Sequence, residues 1–187
     1  MKVAFSTSKN NMGYLNRRTV YLCGSIHNTK ENDFGVGWRD KITPILQERY
    51  GIIVCNPCKD GVGDTKEDQT YFKQLIKDRQ FAKVKNDFYR VIRKDLRAVD
   101  QADFLLFYHN PTLPTVGSMH EVINASNQKK PVLIVCDEEN IEHLNPWLLT
   151  LIKPQWLHES FRSMFDYLDK IDATMDINKL DTSHWWF

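Results

Sequence analysis

Thr19-Val20-Tyr21-Leu22-Cys23-Gly24 and Phe104-Leu105-Leu106-Phe107-Tyr108 are the stretches on which the fold turns. Both are short runs of apolar, β-branched and aromatic residues without polar alternation, the pattern of a strand covered on both faces. Ile52-Ile53-Val54-Cys55 and Pro131-Val132-Leu133-Ile134-Val135-Cys136 repeat it. Helical spacing fills the intervals. Trp38, Ile42, Ile45, Leu46 and Arg49 predict a helix that Pro44 kinks and Gly51 ends. Asp87 to about Ala102, Ser118 to Gln128, and a segment carrying Phe161, Met164, Phe165, Leu168 and Ile171 predict three more. Residues 56–86 read as a Pro/Gly/Asp loop followed by a charged, helical stretch. Buried strands alternating with amphipathic helices predict a parallel sheet with helices on both faces. Ligands of such sheets bind beyond the carboxyl ends of the strands, so chemistry is expected in the loops after Cys23 and Tyr108.

The 187 residues, 42% hydrophobic and 26% charged, suit one ordinary globular domain. Residues 1–18 read as an N-terminal arm or added edge element, and residues 19–187 as a single domain with the aromatic tail His184-Trp185-Trp186-Phe187. Twenty-five Lys and Arg against 24 Asp and Glu leave a net charge of +1, which argues against a dedicated binder of nucleic acid polymers. No apolar run approaches the ~20 residues of a membrane span. Met1–Arg18 lacks the apolar core of a secretory signal, and four cysteines are too few for a disulfide scaffold, so a cytoplasmic protein is expected. Cys55-Asn56-Pro57-Cys58 has redox or metal spacing but no further pair of ligands beside it, and no metal site is expected.

Two carboxylates stand out. Phe88, Ile92, Val99 and Ala102 share one helical stripe, and Asp95 falls in its middle, where leucine would be expected. A carboxylate there is either satisfied locally by Arg93, Lys94 or a backbone amide, or it faces a functional cavity. Ser118-Met119-His120-Glu121 matches a capping box, in which Glu121 would merely satisfy the amide of Ser118. The functional alternative places Glu121 in the first turn of a helix at the sheet's carboxyl edge, ionised by the helix N-terminus and ready to act as a nucleophile.

Tyr21-Leu22-Cys23-Gly24-Ser25-Ile26, Ile92-Arg93-Lys94-Asp95-Leu96 with Ala102-Asp103, Gly117-Ser118-Met119-His120-Glu121, and Lys130-Pro131-Val132 occur in one order at compatible spacings. Together they resemble the nucleoside 2-deoxyribosyltransferase family, including its 2′-deoxynucleoside 5′-monophosphate N-hydrolase relatives, over roughly residues 19–137. The resemblance implies a flavodoxin-like or Rossmann-like α/β three-layer sandwich with a parallel sheet of about five strands. It also implies a retaining glycosyl transfer without metal or organic cofactor. Glu121 matches the nucleophile that attacks C1′ of the deoxyribose, and Asp95 the acidic residue that manages protons near the leaving base. Gly24, Ser25, Ile26, His27, Thr115, Gly117 and Ser118 match substrate-binding positions, several of them able to donate to a 5′-phosphate.

The partners implied are a deoxynucleoside or deoxynucleotide and a free nucleobase or water as acceptor; no nucleic acid polymer and no membrane are expected. The chain departs from the family pattern at two positions. Thr115 stands where nucleoside-specific transferases carry aspartate, and His27 where the hydrolases tend to carry arginine. A homo-oligomer is also implied, in which a chain end can reach a neighbouring subunit's site; Phe187 is the residue so placed here.

Overall fold

The computed structural model describes residues 13–26, 35–59, 66–173 and Trp185. Five strands, β1 (Thr19–Gly24), β2 (Ile53–Cys55), β3 (Phe104–Tyr108), β4 (Val132–Val135) and β5 (Leu157–His158), form one sheet in the order β2-β1-β3-β4-β5. Every neighbouring pair is parallel, with Val20 opposite Phe104, Leu105 opposite Val132 and Ile134 opposite Leu157. This is the flavodoxin-like order, in which the connections leave β1 toward opposite sides and open a crevice beyond the ends of β1 and β3.

Among the described residues six helices flank the sheet: α1 (Val36–Tyr50), α2 (Lys66–Lys77), α3 (Phe81–Gln101), α4 (Val116–Asn127), α5 (Pro146–Leu149) and, after β5, α6 (Phe161–Asp172). The sheet's alternation sorts the core into two layers. Val20, Leu22, Phe104 and Leu106 pack with Ile42 and Leu46 of α1 and Met164 and Leu168 of α6. Tyr21, Cys23, Leu105 and Phe107 face Val99 of α3, Val122 and Ala125 of α4, and Leu148 of α5. α1 runs through Pro44 and stops at Gly51, whose φ of 68° ends the helix in the left-handed region.

Several boundaries differ from the sequence expectation. α3 begins at Phe81, six residues before Asp87, because its polar first turns are held from outside: Phe88 packs edge-on against Phe72 of α2 at 4.9 Å, and Tyr71 donates to Asp87 at 2.6 Å. β5 has two residues, too few for any periodicity to reveal. Residues 13–18, expected in a loose arm or edge element, instead make a packed turn. Leu15 is fully buried, its amide bonds to Asp172 at 2.9 Å, and Arg17 bonds to Gly51. Residues 1–12 lie outside the described residues. From the tail, Trp185 is buried in its own chain's core, 5.2 Å from Phe104 and donating to Tyr167 at 3.2 Å.

Two motif positions are architectural. Asp103 accepts the first amide of β1, from Thr19, at 2.6 Å. Lys130 caps the end of α3 through the carbonyls of Val99 and Asp100 at 2.8 and 2.5 Å, a favourable use of a cation at a helix C-terminus. Asp100 in turn accepts from Asn124 and Gln128, tying α3 to α4. These ties hold in register the two helices that carry Asp95 and Glu121.

Candidate active site

Beyond the carboxyl end of β1 lies a cavity of about 430 Å³. One wall is α3, through Phe88, Val91, Ile92, Asp95 and Leu96; the other is the Pro114–Ser118 segment that opens α4. Gly24, Ser25 and Ile26 form the rim after β1. The sequence-predicted positions Asp95, Glu121, Gly24, Ser25, Ile26, Thr115, Gly117 and Ser118 therefore line one space. His27 and Phe187 lie outside the described residues.

Glu121 is not the end of a capping box. α4 begins at Val116, so Ser118 is already inside the first turn and Glu121 is one turn further on. Both carboxylate oxygens are engaged from the sheet. The Tyr21 hydroxyl donates to Oε1 at 2.8 Å and the Cys23 thiol to Oε2 at 3.0 Å. Tyr21 and Cys23 are two apart on β1, so the pleat aims them at the same helix layer. The thiol also lies 3.6 Å from the Ser118 carbonyl, a second acceptor for its single proton.

Burial pushes the Glu121 carboxyl above its ordinary range; the Cys23 and Tyr21 hydrogen bonds and the charge of Arg39 pull it back toward ionisation. The helix macrodipole, whose influence fades after the first turn, is not the main stabiliser expected from sequence. Burial, and next the neighbouring Glu121 charge, raise Tyr21 and Cys23 far above their usual values, so both remain protonated donors. The result is a shielded carboxyl group held in one orientation beside an open space.

Asp95 takes the place its spacing indicates, with an adjustment. The buried seam of α3 runs through Val91 and Val99, four residues to either side of Asp95, whereas Ile92 is partly exposed at the cavity edge. Asp95 is half-buried on that seam and lines the cavity. Thr115 is the residue before α4, but its side chain makes no cap bond. The Ser25 hydroxyl oxygen is buried without a hydrogen-bond partner among the described residues. A Cβ added at Gly117 would meet nothing within 4 Å, so neither backbone nor packing requires glycine there.

Sequence reasoning missed Tyr21, Cys23 and Arg39. Tyr21 and Cys23 read as ordinary strand residues, although polar-headed side chains two apart at a strand's carboxyl end were the available signal. Arg39 stands three residues before Ile42 and seven before Leu46, in the buried stripe of α1. A cation in that stripe was as anomalous as Asp95 in its own. Cys58, the second cysteine of the Cys55–Cys58 pair, donates its amide to the Asn56 side chain at 3.0 Å in a local turn, and the intervening Pro57 reaches the cavity wall.

No protein-family model matches the chain, and no curated protein matches it in sequence. Among solved structures, the 2-deoxyribosyltransferase of the psychrotolerant bacterium Bacillus psychrosaccharolyticus, characterised as a biocatalyst for the synthesis of antiviral and antitumoral nucleosides, is similar. The two align with a TM-score of 0.51 and 15% identity over 84% of this chain and 93% of that one. The likeness extends over nearly the whole of the compared enzyme, and at this identity it is one of architecture: the chain has the flavodoxin-like α/β fold of a 2-deoxyribosyltransferase.

Proposed function

We propose that the protein cleaves the N-glycosidic bond of 2′-deoxyribonucleosides or their 5′-monophosphates through a covalent glycosyl-enzyme on Glu121. The observation that carries this reading is the Glu121 carboxylate, with each oxygen held by a donor from β1 and Asp95 lining the same cavity. A Glu121 oxygen attacks C1′, the bond from C1′ to the base nitrogen breaks, and the base departs with the electron pair. Asp95 supplies the proton or hydrogen bond that the departing base needs. A second base nitrogen or a water then attacks C1′ while passing its proton to Asp95, the bond from C1′ to Glu121 breaks, and the original configuration is restored. No cofactor enters these steps.

Gly24, Ser25, Ile26, His27, Thr115, Gly117 and Ser118 are the substrate-binding positions in this reading. The Ser25 hydroxyl, without a partner among the described residues, the Thr115 side chain, which makes no cap bond, and the first amides of α4 favour a second reading within the same chemistry, hydrolysis of 5′-monophosphates without base exchange. A homo-oligomer with Phe187 reaching a neighbour's site, and a cytoplasmic setting, belong to the same proposal.

The test is chromatography of products from deoxynucleosides and deoxynucleoside monophosphates, with and without an acceptor base. Base exchange is the result expected of a transferase, and release of free base alone that of a hydrolase. No turnover of any substrate would overturn both.

A further inference from the structure

Arg39 is fully buried, a rare state for a cation, and it reaches the cavity that holds Glu121. Its guanidinium donates to three backbone carbonyls: Nε to Leu22 at 3.3 Å, Nη2 to Gly24 at 3.0 Å and Nη1 to Gly35 at 2.7 Å. The bonds join the end of β1 to the residue before α1. They close the base of the connection whose first residues, Ser25 and Ile26, line the cavity. Gly35 makes this approach feasible. Its φ is 70°, and a Cβ there would lie 2.2 Å from the Ser25 carbonyl oxygen and 2.7 Å from Nη1.

Three carbonyls give each guanidinium nitrogen a partner but supply no net charge. Among the described residues Arg39 forms no ion pair with a carboxylate. Among the described residues, the titratable groups that bond to Glu121 or line its cavity are Tyr21 and Cys23 from β1, Arg39 from α1, Asp95 from α3 and His120 from α4 itself. Tyr21 and Cys23 are neutral donors and Asp95 is acidic. His120 is exposed. Arg39 is therefore the fixed, buried cation of the set.

We propose that Arg39 is a positioning residue, a buried counter-charge that keeps Glu121 ionised while clamping the two ends of the β1–α1 connection. The proposal rests on Glu121 being the nucleophile of the reaction above. A charge role and a clamp role separate by substitution. Arg39→Lys keeps the charge but cannot span three carbonyls; Arg39→Met removes both.

The test has two readouts. In the pH profile of kcat/KM, Arg39→Met is expected to move the acid limb up by about one pH unit, at the low end of the effect of a nearby opposite charge. Arg39→Lys leaves the limb in place and raises KM. Independently of turnover, glutamate labelled with 13C at Cδ reports the titration of Glu121, its signal identified by its loss in Glu121→Gln. That titration is expected to rise in Arg39→Met and to stay near the wild-type position in Arg39→Lys.

An unchanged Glu121 titration in folded Arg39→Met overturns the proposal, whatever the activity. A shifted titration in a protein that turns over no deoxynucleoside leaves Arg39 its electrostatic role and overturns the glycosyl-transfer reading instead. If Arg39→Met does not fold by circular dichroism, Arg39→Gln, which retains a donor for a carbonyl, carries the same test.

Discussion

At the carboxyl ends of β1 and β3 the two faces of the sheet finish differently. On the α1/α6 face the core continues to the top, where Trp38, Tyr108 and Phe161 close it as an aromatic cluster with ring centroids 5.1 to 5.9 Å apart. On the α3/α4 face the apolar layer stops one residue pair earlier. Tyr21 and Cys23 there turn their donors to Glu121, and the space above remains open. One strand serves both. Leu22 belongs to the closed face and its neighbours to the open one. Continuous hydrophobicity thus describes two different environments, one that needs only volume and one that needs donors at fixed points.

The sharpest way to separate the faces is to neutralise Glu121. Glu121→Gln is expected to lower kcat/KM by ~10⁴-fold or more, as for other covalent nucleophiles. It should also leave the protein as stable as wild type or more so. Burial raises the Glu121 pKa in the folded state, so its carboxylate form weakens the fold at neutral pH, and stability from this group is lost as pH rises through that pKa. A product assay and a thermal melt on the same sample check both parts. A large loss of stability would make Glu121 a structural residue after all.

The converse change lies on the closed face. Leu168→Ala removes a fully buried side chain from the α1/α6 core and is expected to cost about 2–5 kcal/mol in denaturant unfolding. Below its lowered melting temperature, the pH profile of kcat/KM should match wild type. A shifted profile would mean that the two layers are coupled.

Acid should weaken both faces together. His109, its ring tilted against Phe107, and His158, beside Tyr167, are buried, and desolvation lowers each pKa from 6.5 to about 4. A histidine with a depressed folded pKa contributes stability that is present above its unfolded value and lost as pH falls toward the folded one. Unfolding free energy is therefore expected to decline between about pH 6.5 and 4. Glu121 runs in the opposite sense and offsets part of the decline. Urea titrations across this range, repeated on a His109→Gln, His158→Gln double variant, should show a flatter profile in the variant; an equal slope assigns the decline elsewhere.

The smallest effect belongs to Gly117. Its Cβ would project into empty space from a helical position, so Gly117→Ala is expected to stabilise the fold by ~0.5–1 kcal/mol. Its KM should rise several-fold if substrate occupies that space. Unchanged KM would remove Gly117 from the binding positions.

Much of this is legible in the sequence alone. The apolar runs at 19–24 and 104–108 carried the strands, and the misplaced Asp95 marked the cavity wall. Glu121 stands out by type and spacing, yet the capping-box alternative stays open in the sequence because spacing does not say where a helix starts. A start at Val116 instead of Ser118 moves Glu121 out of the cap and under β1. β5 was unreadable for a different reason: its two residues pair only because β4 offers them an edge.

By itself the sequence determined the alternation of strands and helices and that Asp95 violates its own stripe, because periodicity and burial cost are properties of short segments. The tertiary structure alone decided that Tyr21 and Cys23 hold Glu121, that Arg39 clamps Leu22, Gly24 and Gly35, and that Asp103 and Lys130 serve the scaffold. Each is a hydrogen bond between segments distant along the chain or a cation buried by several elements at once. Its partner exists only after the sheet has brought the pieces together.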